Sequence, residues 1–235
     1  FDLAVDPLEC TDSVAQGLPN AMSVIATGKK GSLFRAPDMY MDKIAGGPKA
    51  RGVINLNASV KKNLAAVAKR MDKDVSELVV MVLSRPRNEK LIKDIQAVVA
   101  QVRLITDGDV AGAIAPCLPQ SGIDLLMGIG ASAEGVLAAV AIKCLGGEMQ
   151  ARLKPKDKQQ EAELKAMGIK DINRILRLED LATGNDLTFT ATGVLDGPLL
   201  KGVRYTAGYC VTHSVVMRVK TGTIRFLETH HRLHQ

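Results

Sequence analysis

Leu78–Ile105 reads LVVMVLSRPRNEKLIKDIQAVVAQVRLI, and this segment sets the fold class of the chain. Leu78–Leu83 is a continuous apolar run, which is typical of a strand buried in a parallel sheet. Asn88–Gln101 then places apolar residues at helical spacing, and Val102–Ile105 returns to a strand pattern. A strand, a helix and a second strand joined by short connections indicate a parallel sheet covered by helices.

The same alternation continues towards the C-terminus. It predicts a short helix at Asp109–Cys117, a strand at Ile123–Ile129 and an Ala-rich helix at Glu134–Leu145. We therefore predict an α/β fold in which this part of the chain forms a mostly parallel sheet.

The segment that precedes this unit has a different pattern. A strand is predicted at Phe1–Val5, followed by a hairpin whose strands are Ala21–Ala26 and Gly31–Phe34. Ser59 is predicted to cap a helix that runs to about Arg70, because apolar residues recur there at helical spacing.

After Gly147 the pattern becomes mixed. Helices are predicted at Asp157–Met167 and Ile172–Ala182. Four further strands, expected to be antiparallel, are predicted at Leu187–Val194, Arg204–Tyr209, Val211–Val219 and Thr223–Thr229. We predict a domain boundary near Asp72–Glu77, between residues 1–74 and residues 75–220. Residues 221–235 are predicted to form a C-terminal strand and tail.

Composition and charge limit the classes of function. The net charge is +6, but Lys and Arg are scattered and do not alternate with aromatic residues, which disfavours nucleic-acid binding. The longest apolar run, Val136–Ile142, is too short to span a bilayer. None of the four cysteines lies in a C-x-x-C pair, so free thiols and a reducing compartment are expected.

The first loop with candidate chemistry is Asp6–Thr11. Asp6 and Glu9 lie three residues apart across a proline, so one turn can direct both carboxylates at a single point. Mg²⁺ and Mn²⁺ prefer oxygen ligands of this kind, and Thr11 adds a hydroxyl beside them. By itself, the segment is more typical of an ordinary Asp-Pro turn followed by a solvated Glu.

The second loop, Arg85-Pro86-Arg87, follows the strand Leu78–Leu83. The proline stiffens the turn, and two guanidinium groups can hold one phosphate bidentately. The alternative is a pair of solvated surface arginines.

The third loop, Asp107-Gly108-Asp109, follows the strand Val102–Ile105. One of its carboxylates can cap the next helix, while the other can accept hydrogen bonds from sugar hydroxyls. The glycine allows a close approach of the backbone.

The fourth loop, Gly128–Gly135, is a glycine-rich turn from a strand into a helix. Helix N-termini favour anions, but this sequence lacks the third glycine of a dinucleotide-binding fingerprint. Glu134 at the helix start is either a metal ligand or a residue that only complements the helix dipole.

Together these loops resemble those of one family. Asp-Pro-x-Glu-x-Thr, Ala-Pro-Asp-Met-Tyr-Met, Arg-Pro-Arg, Asp-Gly-Asp and Gly-Ile-Gly-x-x-x-Glu-Gly occur here in one order. This order resembles the class II fructose-1,6-bisphosphatases of bacteria, whose relatives in photosynthetic microbes also act on sedoheptulose 1,7-bisphosphate. The similarity runs from Phe1 to about Glu228.

The resemblance implies a fold and an activity. The fold is the inositol-monophosphatase-like sugar phosphatase fold, layered αβαβα, and residues 1–74 would then be the C-terminal part of a metal- and phosphate-binding domain. Residues 75–220 would be a second domain that binds the sugar phosphate. The activity is hydrolysis of the 1-phosphate of fructose 1,6-bisphosphate with Mg²⁺ or Mn²⁺, as in gluconeogenesis or the Calvin cycle.

The resemblance also assigns residues. Asp6, Glu9 and Glu134 would be metal ligands, and Thr11 would act at the scissile phosphate. Residues implied in substrate binding are Glu9, Cys10, Thr11, Tyr40, Arg85, Pro86, Arg87, Asp107, Gly108, Asp109 and Ala131. Among these, Tyr40, Arg85 and Arg87 would hold the distal phosphate, and the two aspartates would bind sugar hydroxyls.

Further expectations concern partners and location. The resemblance suggests a homo-oligomer that binds neither nucleic acid nor membrane. It also suggests the cytoplasm, or a plastid if the source is a photosynthetic eukaryote.

Three departures from the family pattern bear on activity. Cys10 replaces a glycine, which costs roughly 1 kcal/mol or more if the backbone there needs a positive φ. Ala131-Ser132-Ala133 replaces the usual Gly-Ala-Pro. The chain opens at Phe1 inside a strand pattern, so we expect a preceding segment, from which the family draws further metal ligands and the carboxylate that activates water.

Two other functions stay open at this point. An inositol-phosphate phosphatase of the same fold is disfavoured by Arg85 and Arg87, because a monophosphate has no second phosphate to bind. A non-catalytic sugar-phosphate-binding protein is the other alternative, and the residues that precede Phe1 would decide between it and an enzyme.

Overall fold

The computed structural model describes residues 1–233 and contains two six-stranded sheets. The strands are β1 (Asp2–Glu9), β2 (Met22–Gly28), β3 (Tyr40–Gly46), β4 (Val79–Leu83), β5 (Gln101–Ile105), β6 (Leu125–Ala131), β7 (Glu148–Lys154), β8 (Leu176–Arg177), β9 (Leu187–Gly193), β10 (Arg204–Thr206), β11 (Tyr209–Arg218) and β12 (Thr223–Arg232). The helices are α1 (Thr11–Gln16), α2 (Val60–Met71), α3 (Glu89–Gln96), α4 (Val110–Ile114), α5 (Ser132–Cys144), α6 (Lys158–Ala166) and α7 (Leu178–Leu181). The α/β class predicted from the sequence is confirmed.

The first sheet is antiparallel, with the order β1-β2-β9-β11-β10 and with β12 paired to β11. This confirms the antiparallel arrangement predicted for the C-terminal strands. The predicted hairpin is wrong: β2 pairs with β1 and β9, and Gly31–Phe34 contributes only a single bridge from Leu33 to Ala182. The predicted helix at Ile172–Ala182 is also wrong except for the four residues of α7.

The second sheet has the order β5-β4-β6-β3-β7-β8 and is mixed. β4 runs parallel to β5 and β6, whereas the pairs β3–β6, β3–β7 and β7–β8 are antiparallel. The prediction of a mostly parallel sheet is therefore wrong. The sequence analysis missed β3, because its two charged residues, Asp42 and Lys43, conceal a strand that lies in the middle of the sheet.

The helix α2 forms where the sequence predicts it. The side chain of Ser59 accepts a hydrogen bond from the backbone N–H of Lys62 (3.3 Å), which satisfies one donor of the first turn. Leu64, Val67 and Ala68 form its buried stripe and pack in one cluster with strand residues of the second sheet. This stripe anchors α2 to that sheet.

α5 lies between the two sheets. Its residues Val136–Ile142 are buried on all sides, as expected for a helix without a polar face. They belong to the larger core cluster, which includes Phe189 of the first sheet and Met149 of the second. Residues 1–233 thus form four layers in the order sheet, helices, sheet, helices.

The sheets do not follow the predicted division of the chain. β3 lies in the second sheet although it precedes residue 75, and β9–β12 return to the first sheet. The boundaries at 74 and 220 remain a prediction, and residues 234–235 of the C-terminal segment lie outside the described residues.

Candidate active site

The four candidate loops converge at one edge of the second sheet. The predicted Asp6–Thr11 loop is wrong in part, because Asp6 and Glu9 belong to the end of β1. The Arg85 and Asp107 loops follow β4 and β5, and Gly128–Gly135 runs from the end of β6 into α5. Tyr40 at the start of β3 is paired with Ala131 at the end of β6. In open α/β sheets this edge is where ligands bind. The sequence analysis placed these residues in separate loops, and the tertiary structure brings them together.

Glu9 ends β1 and is almost fully buried, at 1% exposure. Its Oε1 accepts a hydrogen bond from the backbone N–H of Val110 (2.6 Å), while its Oε2 is buried without a partner. Burial raises the pKa of Glu9 well above its usual value, and the nearby charges of Asp109 and Glu134 raise it further. A buried carboxylate of this kind needs a counter-charge to ionise.

Cys10 adopts a left-handed conformation, with φ 66 and ψ 51. Its buried thiol donates a weak hydrogen bond to the backbone oxygen of Asp107 (3.4 Å), and burial raises the pKa of the thiol. The structure therefore gives this position the positive φ for which glycine is suited. The Cβ of Cys10 is strained here, as the sequence analysis expected of a loop with a positive φ.

Gly108 lets the loops around Cys10 and Asp107 touch. Its φ is 59, and a Cβ added there would overlap the Sγ of Cys10 and lie 2.9 Å from Oε1 of Glu9. Only glycine fits this contact, both for its backbone conformation and for space.

Asp107 links three of the loops. Its Oδ2 accepts a hydrogen bond from the backbone N–H of Asp12 (3.1 Å), and its Oδ1 lies 3.5 Å from the guanidinium of Arg85. The same guanidinium lies 3.3 Å from Oδ2 of Asp12, a residue that the sequence analysis did not single out. Thr11 precedes Asp12 as the exposed first residue of α1.

Arg87 and Tyr40 form a second group. The guanidinium carbon of Arg87 lies 4.3 Å from the centre of the Tyr40 ring, a cation–π geometry, and its Nε donates to the backbone oxygen of Ile129 (3.0 Å). Arg85 and Arg87 therefore have different partners in this structure, and the exposed Pro86 lies between them. Asn88, another residue missed from the sequence, anchors their turn, because its Oδ1 accepts a hydrogen bond from the backbone N–H of Ile129 (2.8 Å).

Asp109 does not cap α4 with its side chain. Instead its Oδ2 forms a buried ion pair with Lys43, and its Oδ1 is buried without a partner. Glu134, in the first turn of α5, has its pKa raised to about 8, chiefly by burial and then by the negative charge of Asp109. Lys43 was missed from the sequence, because it lies next to Asp42 in a segment without the apolar–polar alternation of a strand.

A divalent cation fits the chemistry of this site. Glu9 Oε2 and Asp109 Oδ1 are buried oxygens without partners, and Asp6 and Glu134 add charge nearby. Lys43 supplies one positive charge among these four carboxyl groups. Within residues 1–233, no group of three or more His, Cys, Asp or Glu side chains is arranged as a metal site. The described residues thus offer hard oxygen ligands but do not assemble a full coordination shell.

The longest α-helix among residues 1–233 is α5, with 13 residues. No helix in this part of the chain combines the length and the apolar character that a membrane crossing requires.

Comparison with known proteins identifies the family. Residues 1–231 match the family described as bacterial fructose-1,6-bisphosphatase, glpX-encoded. The chain is 43% identical to fructose-1,6-bisphosphatase class 2 of Haemophilus influenzae, over 98% of this chain and 73% of that protein. It is 40% identical to the D-fructose 1,6-bisphosphatase class 2/sedoheptulose 1,7-bisphosphatase of a Synechococcus species, over 98% of this chain and 70% of that protein. Since both the family match and these relatives cover nearly all of the chain, it belongs to the bacterial glpX-encoded fructose-1,6-bisphosphatase family.

Proposed function

We propose that this chain hydrolyses the 1-phosphate of fructose 1,6-bisphosphate to give fructose 6-phosphate and phosphate. The observation that carries the proposal is the convergence of carboxylates, arginines and Tyr40 at one edge of the second sheet. The names of its relatives support the same reaction.

The residues divide into four proposed roles. Asp6, Glu9 and Glu134 would hold Mg²⁺ or Mn²⁺, which supplies polarisation of the phosphoryl oxygens and a lower pKa of a bound water. Thr11 would contact the scissile phosphate, with the Cys10 and Ala131 backbones lining the same space.

The rest of the substrate would lie across the neighbouring loops. Asp107 and Asp109 would accept hydrogen bonds from sugar hydroxyls, with Gly108 leaving room for them. The distal phosphate would bind at Tyr40 and at the Arg85-Pro86-Arg87 turn, where the exposed Arg87 offers free N–H donors. Among the described residues, Asp12 and Asp107 both contact Nη2 of Arg85, so Nε and Nη1 could donate to a phosphate while those contacts persist.

Sedoheptulose 1,7-bisphosphate is proposed as a second substrate, because one relative carries both activities in its name. The same two-phosphate geometry would serve the longer sugar. An inositol-phosphate phosphatase is not favoured, since it leaves the Arg85–Arg87 turn without a ligand.

The remaining proposals concern architecture and setting. We propose that the full architecture is the inositol-monophosphatase-like fold with αβαβα layers, of which residues 1–233 supply four. We also propose a homo-oligomer in the cytoplasm, in line with the four free cysteines.

Phosphate release from fructose 1,6-bisphosphate tests the proposed reaction. We expect release with added Mg²⁺ or Mn²⁺ and none in excess chelator, and inositol monophosphate should be a poor substrate. Full activity in chelator would remove the metal from the proposal, and a chain that binds fructose 1,6-bisphosphate without turnover would be a non-catalytic binding protein.

A further inference from the structure

Lys43 is a lysine in the middle of the protein, at 1% exposure. It lies on β3, between Gly128 of β6 and Ala151 of β7, so strands flank it on both sides. Lysine is almost never buried to this extent unless its charge is paired. The reason for its position must therefore lie in its contacts.

The ammonium group of Lys43 makes two contacts within the site. It forms the ion pair with Oδ2 of Asp109, and it donates a hydrogen bond to the backbone oxygen of Ala131 (2.9 Å). Asp109 belongs to the loop after β5, whereas Ala131 immediately precedes α5, which carries Glu134. Lys43 thus ties the loop of Asp109 to the start of the helix of Glu134.

The surrounding backbone leaves space for these contacts. A Cβ on Gly130 would overlap Oδ2 of Asp109 and would lie 2.8 Å from Nζ of Lys43. A Cβ on Gly135 would lie 3.5 Å from Cδ of Lys43. Gly130 therefore leaves the space that the ion pair of Lys43 and Asp109 occupies, whereas a Cβ on Gly135 would make an ordinary van der Waals contact with the lysine side chain.

We propose that Lys43 is a positioning residue for the reaction. Its ion pair fixes the orientation of the buried Asp109 carboxylate beside the proposed sugar-binding residues, and its second bond sets the distance between this loop and Glu134. This inference rests on the proposed function, since it gives Asp109 a role in holding the sugar. Lys43 itself touches neither substrate nor metal in this proposal.

A mutant cycle on fructose 1,6-bisphosphate hydrolysis with Mg²⁺ or Mn²⁺ tests the proposal. Lys43→Met keeps most of the unbranched side chain and removes the ammonium group, and we expect kcat/KM to fall by about 10- to 100-fold, as for other residues that orient a ligand. Asp109→Asn should lower kcat/KM as well. The double variant should lose less than the product of the two single losses, because Lys43 acts largely through Asp109.

Lys73→Met is the matched control. Lys73 pairs with Asp124 (2.6 Å) at the opposite end of β6, so its loss should leave kcat and KM unchanged. If Lys43→Met does not fold, the double variant still removes both charges, and its kcat/KM compared with that of Asp109→Asn decides the question.

The possible outcomes are distinct. A double variant that loses less than the product of the two single losses supports the proposal, and one in which the two losses multiply overturns it. If Lys43→Met is as active as an active wild-type protein, the proposed role of Lys43 is overturned while the proposed function stands. An inactive full-length wild-type protein overturns the proposed function, and the role of Lys43 in the reaction with it.

Discussion

Replacement of Cys10 by glycine and by alanine should separate backbone strain from side-chain packing. Cys10 has φ 66. In this left-handed conformation the Cβ of an L-residue destabilises the backbone by about 1–2 kcal/mol. Alanine keeps this cost and loses the buried thiol, which is worth about 1 kcal/mol for a group of this size. Glycine loses the thiol and the Cβ but removes the strain.

The free energy of unfolding of Cys10→Gly should therefore exceed that of Cys10→Ala by about 1 kcal/mol. This corresponds to about 2–4 °C in Tm for a chain of this length. The free energy of unfolding is measured by urea denaturation, with the m-value checked for equality between the two variants.

Cys117 provides the control, because the difference in stability between its glycine and alanine variants should have the opposite sign. It is also buried, but it is not among the described residues with a positive φ. Glycine there should be less stable than alanine by about 0.5–1 kcal/mol, because glycine loses more chain freedom on folding. The reasoning about strain is refuted if Cys10→Ala is as stable as Cys10→Gly, or if both positions give the same sign.

Three further predictions follow from the site. In metal-free protein, Glu134 has a folded pKa of about 8, above the 4.5 of the unfolded chain. The contribution of protonated Glu134 to stability is therefore complete below about pH 4.5 and is lost as the pH rises through 8. The free energy of unfolding should fall over this pH range. Glu134→Gln should flatten this fall and abolish turnover. An unchanged slope of the free energy of unfolding against pH would contradict the raised pKa of Glu134. Gly108→Ala should cost more than about 2 kcal/mol because its Cβ meets Cys10, whereas Gly122→Ala, with φ 65 and open space, should cost about 1 kcal/mol in the same denaturation assay. Arg87→Ala should raise KM for fructose 1,6-bisphosphate with little change in kcat, and an unaltered KM in steady-state kinetics would remove Arg87 from the distal phosphate.

Much of the candidate site was open to prediction from local sequence. Apolar runs that end at Leu83 and Ile105 identify strands, and the charged residues just after them lie at the edge where such sheets bind ligands. The α2 helix was equally predictable, since the cap at Ser59 and the spacing of its apolar residues are local signals.

The features that the sequence analysis missed depend on contacts between residues that are distant in the chain. β3 was missed because Lys43 is tolerable in a strand interior only when Asp109, far along the chain, supplies the opposite charge. The mixed direction of the second sheet follows from that same strand.

The sequence by itself determined the α/β class, the positions of the four loops and the family resemblance, because each rests on periodicity or on short motifs. Only the tertiary structure decided which carboxylates are buried together, and hence why the pKa values of Glu9 and Glu134 are raised. It also decided that the Cys10 backbone is left-handed and that Lys43 joins two loops. The physical reason is that burial and charge pairing are properties of the packed chain, which segments distant in sequence create together.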